Sequence, residues 1–128
     1  MQIEMQTAMI SLEQLEEMFG NIASSTDWNV DGPLVWGYFF TDESEDHLIR
    51  IVPLLQAQGY RFVDLFASDP AEGVEEHFFL HVEKTETHSP LTLHERNQQL
   101  YAFAKLHRLR SYDGMDVGPI NDPTTHIN

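Results

Sequence analysis

The sequence predicts an α+β sandwich: one four-stranded antiparallel sheet, two helices on one of its faces, and an extra N-terminal helix. Three observations carry that expectation. Short stretches rich in aromatic and β-branched residues alternate with stretches of helical apolar spacing, and connections holding Gly and Pro separate them. The chain has 128 residues, which is one domain's worth of material. Its composition, 41% apolar and 11% aromatic, supplies one core and is far from that of a disordered chain.

The elements follow in order. Ser11-Leu12-Glu13-Gln14 has capping-box spacing and opens the series Leu12, Leu15, Met18, Phe19, Ile22, an amphipathic first helix. The stretch 20–33 is polar, but Trp28 and Val30 within it mark an ordered connection instead of a linker. Leu34 to Thr41 is short and aromatic, as a strand should be. Asp42 is placed to cap a helix over 43–58, with Glu43, Glu45 and Asp46 at its positive dipole end and Gly59 closing it. Pro53 predicts a bend in that helix, or a late start.

Residues 60–67 and 76–85 read as paired strands joined by a long turn holding Pro70 and Gly73. Ser89-Pro90 is an N-cap followed by proline at the first helical position, and Leu91, Leu93, Leu100, Phe103, Ala104 and Leu106 carry the helix to about residue 109. A last strand over 112–117 contains Gly114. Without the leading helix the order is strand, helix, strand, strand, helix, strand, two split strand-helix-strand units, which is the ferredoxin-like plan. Residues 1–120 form the expected domain and 121–128 a short polar tail.

Charge narrows the function classes. Twenty-one acidic against seven basic residues give a net charge of −14, a field that repels phosphate backbones and favours a basic protein partner over direct nucleic-acid binding. The first 50 residues hold only one base, Arg50, whereas Arg96, Lys105, Arg108 and Arg110 cluster late. No apolar run approaches the roughly 20 residues of a membrane span, and no secretory signal is visible, so a cytoplasmic location is expected. Without cysteine there are no disulfides and no thiolate metal sites.

Catalytic motifs are missing too. His77 and His81 are four apart, but in a strand that is ~13 Å, too far for one metal. His94-Glu95 is followed by Gln98 where a metalloprotease helix needs a second His. Neither a phosphate-binding glycine loop nor a Gly-x-Ser-x-Gly elbow is present. No catalytic residue, metal or cofactor is assigned. The expected contact residues are aromatic: strand alternation places Trp36, Tyr38 and Phe40 on one face of the first strand and His77, Phe79 and His81 on one face of the third. These six are expected on the sheet face away from the helices, to be met by the first helix, a second copy in a homodimer, or a partner. RNA-recognition modules of the same plan stack bases there, but the Lys/Arg-Gly-aromatic signature is missing.

The layout resembles one family. A helix from Leu12, the stretch Phe40-Thr41-Asp42, a helix to Gln58-Gly59-Tyr60, and a Leu-rich helix leading into Tyr112-Asp113-Gly114-Met115 look like the RraB family, regulators of ribonuclease E activity. The resemblance spans residues 11–120 and is sharpest at Tyr112-Asp113-Gly114 with Asp116-Val117-Gly118-Pro119. Better-known members carry Trp where this chain has Met115, and a long acidic tail. The resemblance implies a small acidic non-enzyme that binds the basic non-catalytic region of a ribonuclease E-type enzyme and inhibits RNA processing and decay. It adds Tyr112, Asp113, Gly114 and Met115 to the expected partner contacts. The alternatives from the residues alone are a generic interaction or dimerising module, an RNA-stacking module, or a small enzyme.

Overall fold

The computed structural model describes residues 9–68 and 76–120. Its elements are α1 (Leu12–Ser25), β1 (Leu34–Asp42), α2 (Glu45–Ala57), β2 (Arg61–Ala67), β3 (Phe78–Glu86), α3 (Pro90–Leu106) and β4 (Ser111–Gly118). The strands form one sheet in the order β2-β3-β1-β4, with every neighbouring pair antiparallel. This is the expected α+β plan, with β1 and β3 side by side at the centre. The turn containing Pro70 and Gly73 and the polar tail lie outside the described residues.

Both capped helix starts form as their sequences dictate. Ser11 accepts from the Gln14 backbone N–H at 3.1 Å while the Gln14 side chain accepts from the Ser11 N–H at 2.8 Å. Ser89 caps α3 with Pro90 in the first turn, and Thr92 supplies the reciprocal bond. The second helix departs from expectation at its start. Ser44, not Asp42, is the N-cap, its hydroxyl accepting from the His47 N–H at 3.2 Å. Asp42 instead ends β1 and gathers donors from three directions: the Ser44 N–H, His47 Nδ1 and the Arg110 N–H. Nor does Pro53 interrupt α2, which runs through it to Ala57. Ile49, whose carbonyl loses its partner, sits with Pro53 on the exposed side, so the missing bond is on the solvent side of the helix.

Two helices end in the same Schellman geometry on different residues. After α2 the Gly59 and Tyr60 N–H groups bond Gln56 and Leu55 carbonyls, with Gly59 at φ 98°. After α3, which stops short of residue 109, Arg108 takes the left-handed position at φ 60° while Leu109 reaches back to the Ala104 carbonyl at 2.9 Å. A side chain pays for that conformation where glycine does not. Arg108→Gly is therefore expected to raise the unfolding free energy by up to about 1 kcal/mol, read from urea denaturation midpoints.

One core lies between the sheet and the helices. Trp36, Tyr38 and Phe40 of β1 and Leu80 and Val82 of β3 meet Leu48, Ile51 and Leu55 of α2 and Leu93, Leu100 and Ala104 of α3. The first helix joins this layer: Leu15 is buried and the Phe19 ring stacks on Trp36 at 5.7 Å. Trp28 and Val30 pack against the same core, which orders the connection between α1 and β1.

The expected aromatic face is corrected by the register. Phe39 pairs with His81 and Phe40 with Leu80, so Trp36, Tyr38 and Phe40 share their face with Leu80 and Val82, whereas Phe79 and His81 share theirs with Phe39 and Thr41. The six residues expected together are split three and three across the sheet. Alternation along each strand is as read from the sequence, but it does not fix the phase between strands, and a one-residue change of register exchanges the faces.

Candidate interaction face

The sheet face away from the core is an aromatic surface. Phe39 of β1 stacks on His81 of β3 with ring centroids 4.3 Å apart. Beside them Phe79 stacks on Phe66 of the edge strand β2 at 5.3 Å and 8°, and the His77 ring lies 5.2 Å from Phe79. Phe66 is 40% exposed and the others are half-buried, so these rings meet one another and solvent. Charged groups frame them: Arg61 pairs with Glu83 on the β2 side, and Asp116 stands on β4 opposite Gly37. His81 Nε2 is buried yet makes no hydrogen bond among the described residues. Phe39 and Phe66 were not among the residues expected here; only the strand register could have added them.

Of the other expected contacts, Trp36, Tyr38 and Phe40 are core, at most 1% exposed. Tyr112 is buried too, its ring against Phe40 and Tyr101 and its hydroxyl donating to Asn97 Oδ1 at 2.6 Å. The Asn97 amide turns its other end to Met115 Sδ at 3.5 Å. Tyr112 and Met115 thus fasten β4 to α3 instead of facing outward. Gly114, at φ 112°, lies where the β1–β4 register shifts, and Asp113 is exposed at that bulge.

A second polar cluster had no signal in the sequence, because its members are spread from residue 36 to residue 96. Glu86, at the end of β3, receives both guanidinium nitrogens of Arg96 from α3, the Tyr38 hydroxyl at 3.0 Å and His88 Nε2 at 3.1 Å. Trp36 Nε1 donates to the Glu86 carbonyl, and His88 Nδ1 meets Thr92 Oγ1 at 3.0 Å. Burial opposes the Glu86 charge, but the bonds and charge of Arg96 outweigh it and hold the carboxyl below its ordinary range. Burial likewise keeps His88 below its ordinary value, against the pull of Glu86, and drives the Tyr38 hydroxyl far above that of a free phenol. Such perturbed groups mark active sites when they line a cleft. Here each is satisfied by its neighbours, and none of the described clefts is lined by Glu86, His88 or Arg96. The cluster is a buried tie between β1, β3 and α3.

Among the described residues no group of three or more His, Asp or Glu could hold a metal ion, and no helix is long and apolar enough to cross a membrane. The architecture is that of a small ferredoxin-like domain whose polar chemistry is spent on holding it together and whose open sheet face carries aromatic rings.

The family model for RraB, described as regulator of ribonuclease activity B, matches residues 12–117, from the first residue of α1 into the last strand. The chain belongs to the RraB family, whose description is that of a regulator and not of an enzyme. No curated protein matches it.

Proposed function

We propose that this chain is a non-enzymatic regulator that binds the basic non-catalytic region of a ribonuclease E-type endoribonuclease and lowers its cleavage of RNA. The family match over residues 12–117 carries the proposal. Two physical features support it. A net charge of −14 attracts Lys- and Arg-rich segments and disfavours competition for the RNA itself, since binding RNA would need the basic groups this chain lacks. The open sheet face supplies rings for a partner to cover, with His77, Phe79 and His81 joined by Phe39 and Phe66. Asp113 is exposed at the β4 bulge, and Gly114 beside it, itself buried, pairs with Phe39, so Asp113 would extend that contact. A cytoplasmic site of action follows from the partner.

Calorimetric titration of the isolated non-catalytic region into this protein tests the association. Binding is expected at low ionic strength and should weaken steadily as salt shortens the Debye length toward ~8 Å at physiological strength. An absence of binding at low salt would remove the ribonuclease and leave a generic interaction module.

A further inference from the structure

The sheet ends at β4, whose outer side pairs with no further strand. Among the described residues no backbone bond from a turn or loop reaches that strand either. Between its free edge and α1 lies a groove of about 560 Å³. The apolar part of the lining is Met18 and Ile22 of α1, Trp28 of the connection and Val117 of β4. Glu17 and Asp116 line it as well, both exposed, and neither has an ion-pair partner among the described residues. Every residue lining the groove comes from the stretches 1–49 and 111–128, which hold none of the chain's seven Lys and Arg residues. Exposed sheet edges are normally blunted by lysine, by proline or by a covering element. Met115-Asp116-Val117-Gly118 carries no lysine and no proline, and its one charge would attract a basic strand instead of repelling it.

We propose that an extended basic segment of a protein partner adds to the sheet along the outer edge of β4, in the groove beside α1. This deepens the regulator reading and rests on it for the source of the segment. In strand addition the main-chain bonds give affinity and the alternate side chains give specificity. Val117 pairs with Trp36 and so lies on the core face, whereas Asp116 pairs with Gly37 and lies on the open face. An added strand therefore turns one set of side chains toward α1, Met18 and Trp28, and the other set toward Asp116. The segment that fits alternates apolar with Lys or Arg. Glu17, at the rim of α1, adds to the attraction. A nucleic acid would meet carboxylates with no base to offset them, and a second copy would bring its own charge of −14.

The test is an NMR titration of the full ¹⁵N-labelled chain at low salt with acetyl-Lys-Val-Arg-Leu-Arg-Val-Lys-amide, and with the same peptide carrying Glu at every basic position. Saturable shifts are expected at the amides of residues 115–118 and at the Trp28 indole N–H, while the indole of Trp36, the chain's other tryptophan, stays in place in the core. The acidic peptide should bind at least about tenfold more weakly, and Asp116→Asn and Glu17→Lys, both at exposed positions, should each weaken the basic peptide by about fivefold. Strand addition is read from two N-methylated forms of the basic peptide, one methylated at its basic residues and one at its apolar residues. Only alternate amides of an added strand face β4, so one form should lose binding by about tenfold or more and the other keep it. Equal binding of the acidic peptide, equal loss in the two methylated forms, unaffected variants, or shifts confined to Phe39, Phe79 and His81 would overturn the proposal. So would dilution shifts at residues 115–118 without peptide, which would assign the edge to a second copy. Cleavage assays separate the two proposals. If the Glu17→Lys, Asp116→Asn double variant slows a ribonuclease E-type enzyme as well as the parent protein does, the groove fails and the regulator reading stands. If the parent protein binds the peptide in the groove but does not slow cleavage, the regulator reading fails and the groove stands.

Discussion

Replacing Trp36 with alanine is expected to lower the unfolding free energy by about 3–5 kcal/mol, the range for truncating a buried aromatic. The ring is 1% exposed, stacks on Phe19 of α1 at 5.7 Å and meets the His88 edge at 5.4 Å. Its Nε1 also donates to the Glu86 carbonyl at 3.1 Å, so truncation opens a cavity where α1 joins the core and removes a partner of the polar tie. Domains of this size hold only about 5–15 kcal/mol, so the variant should unfold at much lower urea and lose α1 packing first. Trp36→Phe should cost less, because the stack on Phe19 survives. Unchanged stability in Trp36→Ala would contradict the placement of β1's even-numbered aromatics beneath the helices.

Glu86→Gln is the second large effect, with an expected loss of about 3–5 kcal/mol at neutral pH. The Glu86 and Arg96 side chains are only 18% and 17% exposed, and neutralising one leaves the other as a buried charge without its counterion. A Glu86→Gln, Arg96→Met double variant should recover much of the loss, since replacing both charges removes the desolvation burden. The same cluster sets an acid response. His88 is held below its ordinary 6.5 and Glu86 below its ordinary 4.5, so in both cases the unfolded chain takes up the proton first. Their stabilisation is present at neutral pH and is lost on acidification, from His88 first as pH falls below about 6.5, and from Glu86 below about 4.5. Thermal melts between pH 7 and 5 should show a falling Tm, flattened in His88→Gln. A Tm that rises over that interval would contradict the buried neutral imidazole.

Local signals were legible in the chain because their physics is local. The capping box at Ser11, the Ser89-Pro90 helix start, the Gly59 terminator and the strand-helix order all depend on residues a few positions apart. The cap of α2 shows the limit: Asp42 and Ser44 are both good cap residues, and Asp42 is diverted by Arg110, 68 positions away. Inter-strand phase was equally invisible. Reading Trp36, Tyr38 and Phe40 as one stripe was sound, but only the pairing of Phe39 with His81 shows which stripe joins which. The closing of Asp116 and His81 over Gly37 needs three strands in register. The Glu86 cluster likewise draws on β1, β3 and α3 and has no sequence motif.

The regulator claim is tested most directly by cleavage rates of a ribonuclease E-type enzyme on a defined RNA, with and without its non-catalytic region, in a stoichiometric excess of this protein. Slower cleavage by the enzyme that keeps the region, relieved by salt, and unaltered cleavage by the enzyme that lacks it, is the expected result. Unchanged cleavage by both at low salt would contradict it.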